Sequence, residues 1–473
     1  MKLAVVVQRY GAGVNGGAEL HARYIAELLA RHAEVEVLTT CALDYITWKN
    51  ELPAGPDQVN GVRVLRFPVV RPRDPDDFGR HSRRVFHERH SLADELAWLD
   101  SEGPRSPALI RCLARSGSGY DFCVFFSYRY YHSYHGTRLL PDRSILVPTA
   151  ERDPAIGLGV FRPMFRRVRA LMYNSPEERA LIEAVSGNRN IPGVVVGIGS
   201  MIPDAVDPAR FRRKHGITER FAIYVGRIDE NKGCRALFSS FTDYAQATPG
   251  GISLVLVGNA VLPVPSHPRI RHLGFLDDRD KFDAIAASEL LIMPSQYESL
   301  SMVALEAWAL GKPVLANGRC DVLRGQAIRS NAGLYYDGHR EFVECLYRME
   351  TDERLRRALG ENGRLFYRRN YDWPVIESKY LGMIEELRRE GGRRKDPQPA
   401  AEDLPGWFAR RRRTERPAEM VLSDLPSGPV LEEPRHSAPL AARSSDLGRQ
   451  SSPGAAGRTQ SSVLSPQSSQ DRA

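Results

Sequence analysis

Residues 290–315, LLIMPSQYESLSMVALEAWALGKPVL, decide the fold of this 473-residue chain. The apolar run Leu290–Met293 predicts a buried strand, and the Pro-Ser pair after it predicts a turn. Apolar residues spaced by three and four then predict a helix over residues 301–310, which ends at Gly311. A second apolar strand begins at Val314. Such a strand–loop–helix–strand unit is typical of a parallel sheet with helices on both faces.

Two glutamates, Glu298 and Glu306, lie in the loop and the helix of this unit. The Glu-x7-Glu spacing occurs elsewhere in the chain, but only this pair begins in a strand-to-helix loop, where open α/β sheets bind ligands. On a helix the spacing gives roughly 12 Å between the carboxylates. That is wider than the ~5–9.5 Å of glycosidase pairs. The pair therefore predicts hydrogen bonds to hydroxyls at the two ends of an extended ligand. The alternative is that both glutamates are solvated residues on the helix surface.

Length and composition limit the class of protein. The 473 residues are enough for two or three domains, and 42 % hydrophobic residues support real cores. Six scattered cysteines without a CxxC pair predict reduced thiols in a cytoplasmic protein. No apolar run approaches the ~18–20 residues that span a bilayer, and the N-terminus predicts a strand rather than a signal peptide. A net charge of +8 permits anionic ligands, but the sequence has neither zinc-ligand spacing nor an RNA-binding signature, which argues against nucleic acid.

Apolar strands alternate with helical patterns along most of the chain, and this predicts an α/β protein with two Rossmann-like domains and a cleft between them. We expect an N-terminal domain over residues 1–200 and a second domain over residues 201–372. Residues 373–390 predict a further amphipathic helix. Beyond them, residues 391–473 are rich in Pro, Ser, Gly, Ala, Gln and Arg, which predicts a disordered tail.

A glycine-rich loop follows the first strand. Residues 11–16 match G-x-G-x-x-G, the dinucleotide fingerprint. The loop is longer than that fingerprint requires, however, and the second strand ends in Leu-Thr-Thr-Cys without the acid that binds a ribose. Hydride chemistry is therefore disfavoured. What remains is Gly16 and Gly17 at a helix N-terminus, where backbone N–H groups can approach a phosphate, although a flexible loop is the simpler alternative.

The second domain opens with a strand followed by a loop that contains Gly226, Arg227 and Lys232. Arg227 offers a planar fork of donors and Lys232 a mobile point charge, and together they suit a diphosphate. Each alone is more often a surface cation. With Gly17 on the other domain, these residues predict a ligand that bridges the cleft.

Three motifs together resemble glycosyltransferase family 4. They are GGAE at residues 16–19, YVGRIDENKG at residues 224–233 and PSQYESLSMVALEAWALGKPV at residues 294–314. The similarity covers about residues 1–389, with the motifs in the family order. The resemblance implies the GT-B fold, two facing Rossmann-like domains, and a retaining transfer of sugar from a nucleoside-diphosphate sugar such as a UDP-sugar or GDP-sugar. It also implies that the helix over residues 373–390 crosses back to the first domain, and that no metal cofactor is needed.

The resemblance assigns expected roles to individual residues. Glu306 would hold the ribose and Glu298 the transferred sugar, while Arg227 and Lys232 would neutralise the diphosphate. The remaining donor-binding positions are Gly16, Gly17, Gly226, Phe275, Leu300 and Ser301.

The chain departs from the family where many members have a histidine after the fifth strand of the first domain. Glu151 stands there, and we expect it either to contact sugar or acceptor or to leave catalysis less dependent on this position. His132 and Asp153 are expected on the acceptor side, at the same cleft edge. The loop ESLSM also differs from the commoner EGFGL, which leaves the donor sugar open.

The resemblance also implies a glycan or a lipid-linked acceptor, in polysaccharide biosynthesis. Three basic segments, residues 81–90, 162–169 and 410–413, predict either solvated surfaces or peripheral contact with the inner face of the membrane. Two other functions fit the same motifs. One is a nucleotide-sugar-binding protein without transfer, and the other is a GT-B epimerase that isomerises a sugar nucleotide without an acceptor.

Overall fold

A computed structural model of the chain describes residues 1–391 and 406–431. Its first sheet has eight strands, seven of them parallel and one antiparallel at the edge. The strands of this half, including a two-residue strand outside the sheet, are β1 (Lys2–Val6), β2 (Glu34–Thr40), β3 (Gly55–Val59), β4 (Val62–Phe67), β5 (His90–Ser91), β6 (Phe122–Phe126), β7 (Ser144–Val147), β8 (Ala170–Tyr173) and β9 (Gly193–Val195). The order across the sheet is β3-β4-β2-β1-β6-β7-β8-β9.

Helices cover both faces of this sheet because its central strands are apolar on both sides. Along β1, Leu3 and Val5 join one hydrophobic core while Ala4 and Val6 join another. The helices are α1 (Gly17–Leu29), α2 (Pro75–His87), α3 (Leu92–Glu102), α4 (Pro107–Ser116), α5 (Tyr131–Leu139), α6 (Arg162–Arg167) and α7 (Pro176–Ser186).

The second sheet has six strands, all parallel, in the order β12-β11-β10-β13-β14-β15. Its strands are β10 (Phe221–Val225), β11 (Ser253–Val257), β12 (Ile270–His272), β13 (Leu290–Met293), β14 (Val314–Asn317) and β15 (Gly333–Tyr336). The helices of this half are α8 (Pro208–His215), α9 (Cys234–Ala247), α10 (Asp278–Ala287), α11 (Met302–Ala309), α12 (Asp321–Ser330), α13 (His339–Thr351), α14 (Glu353–Asn370) and α15 (Trp373–Arg389).

Helix α15 returns to the first sheet and packs on α1. The hydroxyl of Tyr380 lies 2.9 Å from Nε2 of His21, and the ring of Trp373 meets that of Tyr24 edge-on at 5.7 Å. The last helix of the second half therefore shares a core with the first helix of the chain.

The hairpin β3–β4 was not predicted from the sequence. Asn60 and Gly61 both have positive φ, 47° and 82°, as a two-residue hairpin turn requires. The Asn-Gly pair is a strong hairpin signal, but the strand before it is polar, with Pro56 and Asp57 exposed. The antiparallel edge strand thus departs from the predicted alternation of parallel strands and helices.

The tail differs from the predicted disorder over residues 406–431. These residues form α16 (Trp407–Arg412), β16 (Thr414–Glu415) and α17 (Ala418–Ser423), and β16 pairs antiparallel with β5. They are ordered by packing, because Ala418 is fully buried against the first domain. The rest of the predicted tail, residues 392–405 and 432–473, lies outside the described residues. Within the described ranges, no helix is both long enough and apolar enough to cross a membrane.

Candidate active site

A cavity of about 260 Å³ lies between the two sheets, where loops follow the carboxyl ends of strands. The first half contributes the loops after β1, β6 and β7, and the second half contributes the loops after β10 and β13. The predicted site residues among those that line the cavity are Gly17, Glu151, Asp153, Lys232, Glu298 and Leu300. Six residues proposed from separate stretches of sequence therefore surround one space.

The loop from Gly226 to Gly233 holds Lys232 in a fixed turn. Oδ1 of Asp229 accepts a hydrogen bond of 2.8 Å from the backbone N–H of Lys232. Gly226 has φ of 151°, and Gly233 has φ of 71° where it caps α9. A Cβ on Gly233 would lie 2.1 Å from the carbonyl oxygen of Pro294, so this glycine also brings the loop against the one that contains Glu298.

Gly233→Ala is expected to lower the free energy of unfolding by about 1–2 kcal/mol for the left-handed conformation and by more for the clash with Pro294. Gly250→Ala is the matched control, because Gly250 has φ of 77° and no described atom within 4 Å of its Cβ position. Urea unfolding of both variants separates the cost of the left-handed conformation from the cost of the clash with Pro294. Equal destabilisation of both would show that the contact with Pro294 does not hold the loops together.

Lys232 and Glu298 form an ion pair in the lining of the cavity. Nζ of Lys232 lies 2.7 Å from Oε1 of Glu298, whose side chain is 9 % exposed. Burial lowers the pKa of Lys232, but the carboxylates of Glu298 and Glu151 outweigh burial and raise that pKa above its ordinary value. The lysine is therefore charged at neutral pH and can bind an anionic group of a ligand.

Glu151 lines the same cavity, and its carboxyl is perturbed. Burial raises the pKa of Glu151 to about 7, the charge of Lys232 opposes this, and the nearby carboxylates of Glu298 and Asp153 add to it. Arg129 holds Asp153 through a hydrogen bond of 2.6 Å, yet burial keeps the pKa of Asp153 raised. A carboxyl whose pKa lies near 7 can exchange a proton at neutral pH, which suits acid–base chemistry or a contact with a sugar hydroxyl.

Replacing Glu151 with glutamine is expected to change how stability depends on pH. A folded-state pKa of about 7, above the ordinary 4.5, means that the wild type loses stability as pH rises from about 4.5 through 7. The variant lacks this loss. The free energy of unfolding of the variant minus that of the wild type should therefore be about 1–3 kcal/mol larger at pH 8 than at pH 4.5. Urea unfolding of both proteins across this range measures the difference. A difference that stays constant with pH would contradict the raised pKa.

Glu306 lies in α11 and is only 3 % exposed. Protein groups form hydrogen bonds with one of its two carboxylate oxygens. Oε1 accepts hydrogen bonds from Oγ of Ser200 at 2.8 Å and from Nζ of Lys281 at 3.0 Å. Oε2 is buried and has no hydrogen-bond partner among the described residues. A buried acceptor without a partner is costly, so this oxygen is suited to accept a bond from a ligand hydroxyl.

The helix that contains Glu306 begins within one residue of its predicted start, and Glu298 precedes it as predicted. Helix α11 starts at Met302, and Oγ of Ser301 caps it by accepting from the backbone N–H of Ala304 at 3.3 Å. Glu298 therefore lies in the loop before the helix. The estimate of the carboxylate separation from the rise of a helix does not apply to this pair.

Gly16 and Gly17 have different surroundings at the start of α1. A Cβ on Gly16 would lie 2.3 Å from Oε2 of Glu19, which forms a buried ion pair with Arg9. Gly16 thus makes room for protein side chains. Gly17 lines the cavity, and its Cβ position has no described atom within 4 Å, so a ligand has room to approach its backbone.

The other predicted site residues lie outside those that line this cavity: Gly16, Gly226, Arg227, Phe275, Ser301, Glu306 and His132. The guanidinium of Arg227 donates to Asp229 and to the hydroxyl of Tyr45, and it lies 5.2 Å from the centre of the Tyr45 ring. Phe275 is 60 % exposed next to Gly274, which has φ of 72°. Arg227 is thus bonded to both halves of the protein, and Phe275 offers an exposed aromatic face.

His132 differs from its expected position at the cleft edge. It is 1 % exposed, and its Nε2 lies 3.2 Å from the carbonyl oxygen of Phe126. Burial lowers the pKa of His132 to about 4, so the ring is neutral at pH 7. The sequence pattern could not tell this buried position from a loop histidine, because α5 itself was not predicted.

Sequence reasoning missed several other residues that line the cavity, among them His21, Ser127 and Thr149. His21 lies one turn after Gly17 on α1, and burial lowers its pKa to about 3. Ser127 and Thr149 follow β6 and β7, have positive φ of 64° and 48°, and share a hydrogen bond of 2.7 Å. Strained backbone of this kind is concentrated at functional sites. The i to i+4 spacing from Gly17 would have indicated His21.

Comparison with known proteins agrees with this architecture. Residues 207–366 match the family model described as glycosyl transferases group 1. A D-inositol 3-phosphate glycosyltransferase of Corynebacterium efficiens is 25 % identical over 195 residues, which are 37 % of this chain and 46 % of that protein. The mannosylfructose-phosphate synthase of Agrobacterium fabrum is 23 % identical over 221 residues, covering 39 % and 47 % of the two chains. The chain spans about half the length of the curated relatives it matches.

Solved structures extend the likeness to the fold of both halves. Sucrose-phosphate synthase from Thermosynechococcus elongatus superposes with a TM-score of 0.61 at 16 % identity, covering 82 % of this chain and 100 % of that chain. Anabaena Alr3699/HepE in complex with UDP-glucose superposes with a TM-score of 0.59 at 16 % identity and the same coverage. The chain has the GT-B fold, and its residues 207–366 match the family model of glycosyl transferases group 1.

Proposed function

We propose that this protein transfers a sugar from a nucleoside-diphosphate sugar to a hydroxyl group of an acceptor, with retention of anomeric configuration and without a metal cofactor. The observation that carries the proposal is the meeting of Lys232 and Glu298 from one half with Gly17 and Glu151 from the other around a single cavity. The match of residues 207–366 to glycosyl transferases group 1 supports it, because that segment contains both Lys232 and Glu298.

The donor would span the two glutamates. The partnerless Oε2 of Glu306 would accept a hydrogen bond from a ribose hydroxyl, and Phe275 and the backbone beside it would face the base. Glu298 would hold hydroxyls of the transferred sugar, close to Leu300 and the capping Ser301. A UDP-sugar is the first candidate, since the similar Anabaena structure is a complex with UDP-glucose.

The charge that develops on the leaving group would be neutralised by protein groups. When the glycosidic C–O bond breaks, its electron pair goes to the diphosphate oxygen. Lys232 and the first-turn N–H groups at Gly17 would stabilise that oxygen, and Arg227 would exchange Tyr45 for the diphosphate. The acceptor oxygen forms the new C–O bond, and its proton passes to the departing phosphate.

The acceptor side of the cavity would be formed by the first half. Glu151 and Asp153 line the cavity there, and we propose that Glu151 contacts the sugar or the acceptor hydroxyl in place of the family histidine. His132 would act only beneath this surface, because it is buried. We propose a glycan or lipid-linked acceptor, with the protein cytoplasmic or peripheral at the inner face of the membrane.

Release of nucleoside diphosphate from UDP-, GDP-, ADP- and dTDP-sugars, measured with and without acceptors, tests the proposal. We expect acceptor-dependent release from at least one donor without added metal, and its loss in Glu298→Gln. Binding of a nucleotide without release from any donor would instead support a nucleotide-sugar-binding protein. An isomerised sugar nucleotide formed without acceptor would support an epimerase.

A further inference from the structure

Residues 413–431, the C-terminal strap, run across both halves of the protein beside the proposed active site. The strap begins with Thr414–Glu415 paired to β5. It then passes over Gly157, where Ala418 is fully buried. It ends near Val430, whose backbone N–H donates to Oε1 of Glu177 at 3.0 Å and whose carbonyl accepts from Arg329 at 2.5 Å. Since Glu177 lies on α7 and Arg329 on α12, the strap contacts one helix from each half.

Arg152 fixes the middle of the strap. Its guanidinium donates to the carbonyl oxygens of Pro426 at 2.7 Å, Leu425 at 2.9 Å and Leu422 at 3.2 Å. Arg152 follows Glu151 in the loop after β7. The loop that faces the proposed acceptor on one side therefore binds the strap on the other.

A second cavity, of about 170 Å³, lies between this part of the strap and the active site. Pro426, Ser427 and Gly428 form one wall, and Ala150 and Glu178 of the first half form another. Glu298 lines this cavity as well as the larger cavity. The two spaces thus adjoin at the side chain that would hold the transferred sugar.

The charged groups that line the second cavity are neutralised by protein partners. Glu298 is paired with Lys232 at 2.7 Å, Glu177 with Arg329 at 3.1 Å, and Arg319 with Asp337 at 2.6 Å. Each of these three charged lining residues is therefore balanced by a partner of opposite charge.

The other lining charges are also balanced. Arg152 lies 3.9 Å from Asp321 across the cavity. Burial raises the pKa of Glu178 to about 8, which leaves this carboxyl largely protonated at neutral pH. The cavity is rich in hydrogen-bonding groups but close to electrically neutral, and this suits a ligand with hydroxyl groups better than one with a phosphate.

We propose that the C-terminal strap forms the outer wall of an acceptor subsite that takes one neutral, hydroxyl-rich ring, such as a monosaccharide or cyclitol unit. This rests on the proposed function, which requires an acceptor hydroxyl beside the sugar that Glu298 holds. The cavity of about 170 Å³ is smaller than the ~300–1,000 Å³ of drug-sized sites, so it suits a single ring. The strap thereby sets the size of the acceptor at this position.

Two variants of the full chain alter the strap in different ways. Ser427→Trp places a large side chain on the exposed wall of the cavity. Gly157→Ala displaces the strap, because its Cβ would lie 2.4 Å from the carbonyl oxygen of Ala418. Gly159→Ala is the matched control, since its Cβ would make only an ordinary contact of 3.6 Å with Glu95.

Saturation-transfer NMR in the presence of UDP then measures binding of glucose, mannose, galactose, myo-inositol and glucose 6-phosphate. We expect at least one neutral ring to bind the wild type and Gly159→Ala, and to bind Ser427→Trp and Gly157→Ala at least ~10-fold more weakly, with equal UDP affinity throughout. Glucose 6-phosphate should bind more weakly than glucose. The proposal is overturned if no neutral ring binds, if the phosphate binds more tightly, or if Ser427→Trp keeps full affinity.

This binding readout separates the subsite from the transfer reaction. A protein that binds the neutral ring through the strap but releases no nucleoside diphosphate would retain the subsite as a sugar site and would refute transfer. A protein that transfers sugar while Ser427→Trp has no effect on binding would retain transfer and would refute the role of the strap.

Discussion

Replacing Lys232 with alanine is expected to lower turnover of the sugar nucleotide by ~100- to 1,000-fold, the effect of removing one preorganised group that faces developing charge. Lys232 lines the cavity, and the carboxylates of Glu298 and Glu151 keep it charged by raising its pKa. The substitution also leaves Glu298 without the partner that lies 2.7 Å away. Stopped assays of nucleoside-diphosphate release at saturating donor measure the loss.

Arg235→Ala is the matched control for this prediction. Arg235 is a cation in the first turn of α9, three residues beyond Lys232, but its side chain is 70 % exposed and paired with Glu230 at 2.8 Å. A surface pair of this kind contributes little to stability, so turnover should stay within about twofold. If Lys232→Ala keeps more than a tenth of the wild-type turnover, the leaving group is not neutralised by this lysine.

Replacing Glu306 with glutamine is expected to weaken binding of the nucleoside diphosphate by ~10- to 100-fold. A hydrogen bond to a charged group contributes about 1.5–3 kcal/mol, and the partnerless Oε2 of Glu306 is the group proposed to accept one from the ribose. Turnover at saturating donor should fall much less, because Glu306 is not proposed to touch the bond that breaks. Calorimetric titration with UDP and GDP measures the affinity.

Glu361→Gln is the control for Glu306→Gln, since Glu361 ends another Glu-x7-Glu pair but is 60 % exposed and forms a surface pair with Arg364 at 3.1 Å. The control should bind nucleotide as the wild type does. Loss of the bond from Lys281 to Glu306 also lowers stability, so thermal unfolding of each variant accompanies the titration. Unchanged affinity in a folded Glu306→Gln protein would remove Glu306 from the nucleotide site.

Much of the fold followed from local sequence because buried parallel strands are continuous apolar runs. Strand β13 has the bounds predicted from its apolar run, Leu290–Met293. Helix α2 was missed because it is strongly polar and Val85 is its one fully buried residue among those described. A helix of this kind is held by its Asp74 cap and by packing on α3, which the pattern of apolar residues does not record.

The site was predictable where its residues lie in short motifs after strands, as Lys232 and Glu298 do. It was not predictable where two distant segments set the chemistry. The pKa of Glu151 depends on burial and on charges from the other half, and the order of the strap depends on Gly157 and Arg152. The composition of the tail, rich in Pro, Ser and Gly, does not predict the contacts of the strap with Gly157 and Arg152. Those contacts form only when the chain has folded.

The central claim is that Glu298 and Glu306 hold opposite ends of one donor. Nucleoside-diphosphate affinity and turnover, measured side by side for Glu298→Gln and Glu306→Gln, test it most directly. The account predicts that Glu298→Gln abolishes turnover while binding the nucleoside diphosphate nearly as the wild type does, and that Glu306→Gln mainly loses affinity. Equal loss of affinity in the two variants, with no difference in turnover at saturating donor, would contradict the account.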